Sequence, residues 1–136
     1  MFRPVFGAAL LMLAASLASA AAQAPKAGVT TSSGVYTSQQ AMRGEMTYMN
    51  LCVGCHAVGT YAAPAFREKW NGVPLSQLFD FLSNTMPKND PGSLEPDEYA
   101  QVIAYILRAN GAPLGKTVLP SDLSSLKKIR IDLPRR

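Results

Sequence analysis

The chain has 136 residues, a length that fits a single domain. Its formal net charge of +4, with 16% charged residues, is only mildly basic. The excess falls in the tail from Lys116 onward, which can suit nucleic acid or an anionic membrane surface. In an exported chain it favours an acidic protein partner or, before that, plain solubility.

The first residues have the order of a targeting segment. Met1-Phe2-Arg3-Pro4 is a basic start, Val5 to Leu17 is almost entirely apolar, and Ala18-Ser19-Ala20 and Ala20-Ala21-Ala22 offer small-residue cleavage sites. This predicts a secretory signal over residues 1–20 and a periplasmic mature protein. The alternative is an uncleaved membrane anchor, which the short, Ala-rich apolar run disfavours. No Cys follows the cleavage site to take a lipid. Residues 21–36 are rich in Ala, Gly, Ser and Thr and predict a flexible lead-in without a core of its own.

Helical signals begin at Thr37, which can form a capping box with Gln40. Ala41, Gly44, Tyr48 and Leu51 then recur at helical spacing. Gly44 in a helix interior costs about 1 kcal/mol against Ala, a cost that makes sense where another helix approaches the backbone closely. His56 to Trp70 contains Gly59 and Pro64, shows no sustained period, and predicts an irregular loop. Pro74 suits the first position of a short helix carrying Leu75, Leu78, Phe79 and Leu82. That helix should stop by Thr85, because Pro87 removes a backbone donor and restricts the residue before it. Asn89-Asp90-Pro91-Gly92 is a turn cluster.

The strongest helix follows, with Pro96, Asp97 and Glu98 in its first turn and Tyr99, Val102, Ile103 and Ile106 on one apolar face. Asn110-Gly111 and Pro113 stop it. A short extended piece is expected around Ile129 to Leu133. Residues 37–113 thus read as an all-α domain of three or more short helices joined by irregular loops. Residues 114–136 form a basic tail, in which Leu123, Leu126, Ile129 and Ile131 are apolar anchors among basic residues. The tail is expected to wrap its own domain in preference to docking a partner. So short a domain buries only ~60% of its unfolded surface, and a large flat apolar cofactor would supply the missing core.

Cys52-Val53-Gly54-Cys55-His56 is where chemistry concentrates. A disulfide closing so short a loop restrains the unfolded chain very little, so a structural staple explains the pair poorly. The spacing is the haem-attachment pattern C-x-x-C-H. Two thiols three residues apart can add across the two vinyl groups of one haem, and the adjacent His then offers an imidazole nitrogen to iron. Both Cys residues and the only His of the chain fall in this pentapeptide. A thioredoxin-like pair would need a βαβ context, and a zinc site would need a fourth ligand. One covalently bound haem c, with its iron, is therefore the expected cofactor.

The sixth iron ligand decides what such a haem does. Without a second His, the candidates are Met42, Met46, Met49 and Met86. The first three sit on the helix leading into the attachment site and are expected to be packing residues. Met86 lies between a helix end and Pro87, in a loop free to reach the other face of the ring; the alternative is a Met filling a core gap. His/Met ligation raises the reduction potential and leaves iron no open position. That favours an electron carrier over an enzyme.

From Tyr36 to Pro113 the sequence resembles small class I c-type cytochromes, the bacterial monohaem cytochrome c family. The resemblance rests on Gly44 and Tyr48 before C-V-G-C-H, then Pro64, Trp70, Thr85-Met86-Pro87 and Tyr99 to Leu107. It implies a cytochrome c-like fold around one haem, with the first and last helices crossing at Gly44. It implies too that the Pro64 carbonyl orients the His56 imidazole, and that Trp70 bonds a haem propionate, plain packing being the alternative for Trp70. The Pro-Gly turn and the Gly-Val-Tyr lead-in are similar to bacterial cytochromes that serve periplasmic dehydrogenases. The implied partners are a donor dehydrogenase and an acceptor cytochrome or oxidase, with no nucleic acid and a membrane only if the signal stays uncleaved. The competing function is a haem enzyme or gas-binding sensor with an open sixth position.

Overall fold

Two crossing helices carry the architecture. The first, α1 (Ser38–Leu51), starts at Thr37, whose side chain accepts a hydrogen bond from Gln40 N at 3.2 Å. Only this half of the expected capping box forms. The Gln40 side chain instead donates to the Leu119 carbonyl at 2.9 Å and accepts from Leu119 N at 2.8 Å. These bonds tie α1 to the far end of the chain. The structure, a computed structural model, describes residues 28–134. The expected export signal over 1–20 and the start of the lead-in lie outside the described residues.

After a 3-10 turn at Thr60–Ala62, α2 (Pro64–Trp70) occupies half of the segment expected to be an irregular loop. Pro64 takes the first helical position, and Phe66 and Trp70, one turn apart, are buried. A helix of seven residues is held by tertiary packing and not by its own propensity. Next, α3 (Leu75–Thr85) buries Leu75, Leu78, Phe79 and Leu82, with Pro74 as its N-cap. The longest apolar face belongs to α4 (Pro96–Ala109). The Glu98 side chain accepts a bond from Glu95 N at 2.9 Å, and Gly111 in the left-handed region follows its end.

The α1–α4 crossing explains Gly44. A Cβ built there would lie 1.8 Å from the Gln101 carbonyl oxygen, so only glycine lets the two backbones meet. An ion pair between Glu45 and Arg108 lies beside the crossing. Met42, Met46 and Met49, expected as packing residues, are 50%, 60% and 38% exposed. At helical spacing they fall on a different face of α1 from the buried positions Ala41, Gly44 and Tyr48.

The chain ends are part of the same core. Val29–Thr30 (β1) pairs in parallel with Ile129–Arg130 (β2), and Thr31 and Tyr36 are fully buried. The Thr31 hydroxyl donates to the Asp132 carbonyl and accepts from Asp132 N, both at 2.8 Å. Tyr36 donates its hydroxyl to the Ala112 carbonyl at 2.6 Å. Residues 29–36 are therefore packed, where a flexible lead-in was expected. Their partners lie at the other end of the chain, out of reach of any local pattern.

The tail wraps the domain through α5 (Leu123–Leu126), which packs on α3, and through β2. Leu119, Leu126, Ile131 and Leu133 are buried, whereas Leu123, an expected anchor, is 48% exposed. The bonds Gly72 N to the Ile131 carbonyl (2.8 Å), Ile131 N to the Val73 carbonyl (2.9 Å) and Leu133 N to Asn71 Oδ1 (3.0 Å) satisfy tail backbone groups that burial would otherwise strand. Among the described residues no helix is long and apolar enough to cross a membrane.

Candidate functional site

A cavity of about 570 Å³ opens where the C-terminal ends of α1 and α3 face α4. Leu51, Leu82, Val102 and Ile106 make its walls apolar, and Tyr48 and Tyr61 add two aromatic rings. Cys52, Cys55 and His56 reach it from the end of α1, and Met86 reaches it from the end of α3. Among the described residues, Lys88 is the one charged residue on its wall, and no carboxylate lines it. The cavity has the size and apolar character of a small-molecule site with a few placed polar groups.

The Cys52–His56 segment turns tightly as α1 ends. Cys52 N donates to the Tyr48 carbonyl at 2.8 Å, Cys55 N to the Cys52 carbonyl at 3.1 Å, and His56 N to the same carbonyl at 2.8 Å. The two cysteines are not joined to each other in a disulfide. Burial pushes the Cys52 thiol above its ordinary pKa. The His56 ring lies 5.3 Å from the Tyr61 ring, centroid to centroid.

Tyr48 closes this turn from inside. Its hydroxyl lies 2.9 Å from the His56 carbonyl and 3.2 Å from the Ala57 carbonyl, to which it donates. Burial first, then the neighbouring Tyr61, Tyr105 and Cys52, push its pKa up to about 12, so the hydroxyl keeps its proton at ordinary pH. Burial, then Cys52, likewise raises Tyr61.

Met86 ends α3 through its own backbone. Its N–H still donates to the Leu82 carbonyl at 2.9 Å, but its own backbone is extended, as a residue before proline prefers. Its carbonyl accepts a bond from the Tyr99 hydroxyl at 2.7 Å, and that hydroxyl accepts in turn from Gly92 N at 3.1 Å. The turn cluster between them is closed by Asp90 N donating to the Pro87 carbonyl at 2.9 Å.

Cys52, Cys55, His56 and Met86 thus come together on one cavity, whereas Pro64 and Trp70 are not on its wall. Pro64 is an exposed first residue of α2. Trp70 is packed between Phe66 and Phe81, with ring centroids at 6.3 and 5.7 Å, and lines a separate open groove with Asp80, Phe81 and Lys127. Met42, Met46 and Met49 do not line the cavity either. The hydroxyl roles of Tyr48 and Tyr99 were not read from the sequence. Each Tyr stood out only as an apolar position on a helix face, and its partner carbonyl is fixed by tertiary structure.

The residues present fit a haem. Among the described residues no group of three or more His, Cys, Asp or Glu side chains could cage a bare metal ion. Two thiols, one imidazole and one thioether around an apolar cavity are instead chemically suited to iron carried in its own flat ring.

Residues 39–106 match the model of the family described as "Cytochrome C oxidase, cbb3-type, subunit III". No curated protein and no solved structure matches the chain.

Proposed function

Since this chain belongs to the cytochrome c family described as cbb3-type cytochrome c oxidase subunit III, we propose that it is an exported one-electron carrier. It acts free or as the electron-transfer subunit of a periplasmic dehydrogenase or respiratory chain. Membership brings a covalently bound haem c, haem-based electron transfer and redox proteins as partners. The observation that carries the finer reading is the convergence of Cys52, Cys55, His56 and Met86 on one apolar cavity of about 570 Å³.

When bound, haem c supplies an iron that takes up and gives back one electron. Cys52 and Cys55 would hold the group by thioether bonds, and His56 and Met86 would ligate its iron. Leu51, Leu82, Val102 and Ile106 keep water away from it, which favours a raised potential. With His56 and Met86 both on the iron, a substrate would find no open position there, and among the described residues no carboxylate of the cavity wall stands ready for acid–base work. Residues 1–20 direct export, residues 28–134 form the haem-binding unit, and the chain does not turn over a substrate.

The test is the optical spectrum of the matured protein, oxidised and reduced. A low-spin spectrum with the weak near-infrared sulfur-to-ferric-iron band is expected, and Met86→Ala should abolish that band. A high-spin spectrum in the unaltered protein would overturn the carrier reading in favour of an open iron site.

A further inference from the structure

Met86 projects from a stretch that lacks secondary structure of its own, running from the end of α3 to the start of α4. One side chain spans that stretch. The Tyr99 hydroxyl donates to the Met86 carbonyl at 2.7 Å and accepts from Gly92 N at 3.1 Å. Tyr99 is 3% exposed, and its ring meets Phe79 of α3 edge-on at 6.0 Å. It stands in the first turn of α4, the helix locked against α1 at Gly44. It does not line the cavity.

We propose that Tyr99 is a positioning residue for Met86, a clasp that holds the thioether at the cavity by fixing both ends of its loop to α4. The inference rests on the reading of Met86 as an axial ligand. The chemistry is specific. One hydroxyl serves as donor to the residue that bears the ligand and as acceptor from a glycine in the left-handed region, φ 80°, six residues further on. A phenyl ring of the same shape keeps the packing on Phe79 and loses both bonds. The Met86 carbonyl is then left without its donor, and the loop becomes free to swing its sulfur away. Loss of a buried hydrogen bond of this kind shifts an equilibrium by about tenfold.

The test uses the ferric holoprotein titrated with imidazole, an external ligand that competes with Met86, followed by the near-infrared band. Tyr99→Phe should lower the imidazole concentration at half-displacement about tenfold. Tyr105→Phe, which removes a hydroxyl from the same helix away from the loop, should stay within about twofold. A Tyr99→Phe value within about twofold of the unaltered protein overturns the clasp. A second measurement needs no substitution at Tyr99. If loop and ligand are coupled, displacing Met86 with saturating imidazole must loosen the Gly92 amide in return. Its hydrogen exchange should accelerate while that of Ala104 does not, and unchanged Gly92 exchange overturns the clasp too. Absence of the near-infrared band from the unaltered protein would instead sink the Met86 reading, and the clasp with it.

Discussion

The turn that carries His56 is closed by bonds within its own neighbourhood. Cys52 N reaches back to Tyr48, and the N–H groups of Cys55 and His56 both reach Cys52. The loop that carries Met86 relies on a distant residue, because its two ends meet at the hydroxyl of Tyr99. In the holoprotein the first segment is also tethered covalently through its cysteines, whereas the second has no covalent tether and relies on packing, hydrogen bonds and the proposed Met86–iron bond. A protein built this way has a fixed side and a yielding side. Local opening should begin at the segment that lacks the covalent tether, here the Met86 loop.

The largest expected effect comes from removing the tail after Gly115. Leu119, Leu126, Ile131 and Leu133 are all buried, and α5 packs on α3, the helix that ends in Met86. At ~1.5–3 kcal/mol for each buried aliphatic side chain, the loss rivals the whole stability of a small domain. The truncated protein should still carry covalent haem on a denaturing gel, yet lose both its cooperative thermal transition and its near-infrared band. A truncated protein that keeps the band would erase the distinction between the two sides.

What could be read in advance follows the same division. The C-x-x-C-H turn, the costly Gly44, the stop at Thr85 and the apolar face of α4 are local signals, and each stands where the sequence puts it. The packed strand at Val29–Thr30 was missed because its partner is Ile129–Arg130. Half of the Gln40 capping box was misassigned because a backbone 79 residues away competes for the same side chain. The helix α2 was hidden by Gly59 and Pro64, two breakers that here only set its start. At the site, Cys52, Cys55, His56 and Met86, all four lining one cavity, were singled out by spacing and scarcity. The hydroxyls of Tyr48 and Tyr99 were not, since a helical period shows that a position is buried and is silent on what its polar end meets.

Tyr48→Phe sharpens the comparison at smaller amplitude. Tyr48 gives the His56 carbonyl the same kind of bond that Tyr99 gives Met86, at 2.9 Å and 2.7 Å respectively. Its loss should cost about 1 kcal/mol of stability in denaturant unfolding of the holoprotein. Because His56 stays tethered next to Cys55, the imidazole midpoint should remain within about twofold of the unaltered value. The same titration, showing Tyr48→Phe as damaging as Tyr99→Phe, would mean that the covalent tether adds nothing to ligand positioning.

The smallest effect concerns acid. Asp122 caps α5, accepting from Ser125 N at 2.9 Å and from the Ser124 hydroxyl at 2.6 Å. Those bonds, from the Ser124 side chain first and then from Ser125, hold its pKa at about 2, below the ordinary 3.8. A carboxyl whose pKa is lower in the folded chain supports the fold above its unfolded value. That support is lost as pH falls from 3.8 through about 2. The carboxyl is fully exposed, so its contribution is slight and sensitive to salt. Because α5 bears on α3, the weakening should be felt on the Met86 side. Melting temperatures of the unaltered protein and of Asp122→Ala should differ near neutral pH and converge as pH approaches 2. A gap that stays constant across this window would assign the cap to packing and leave its charge without a role.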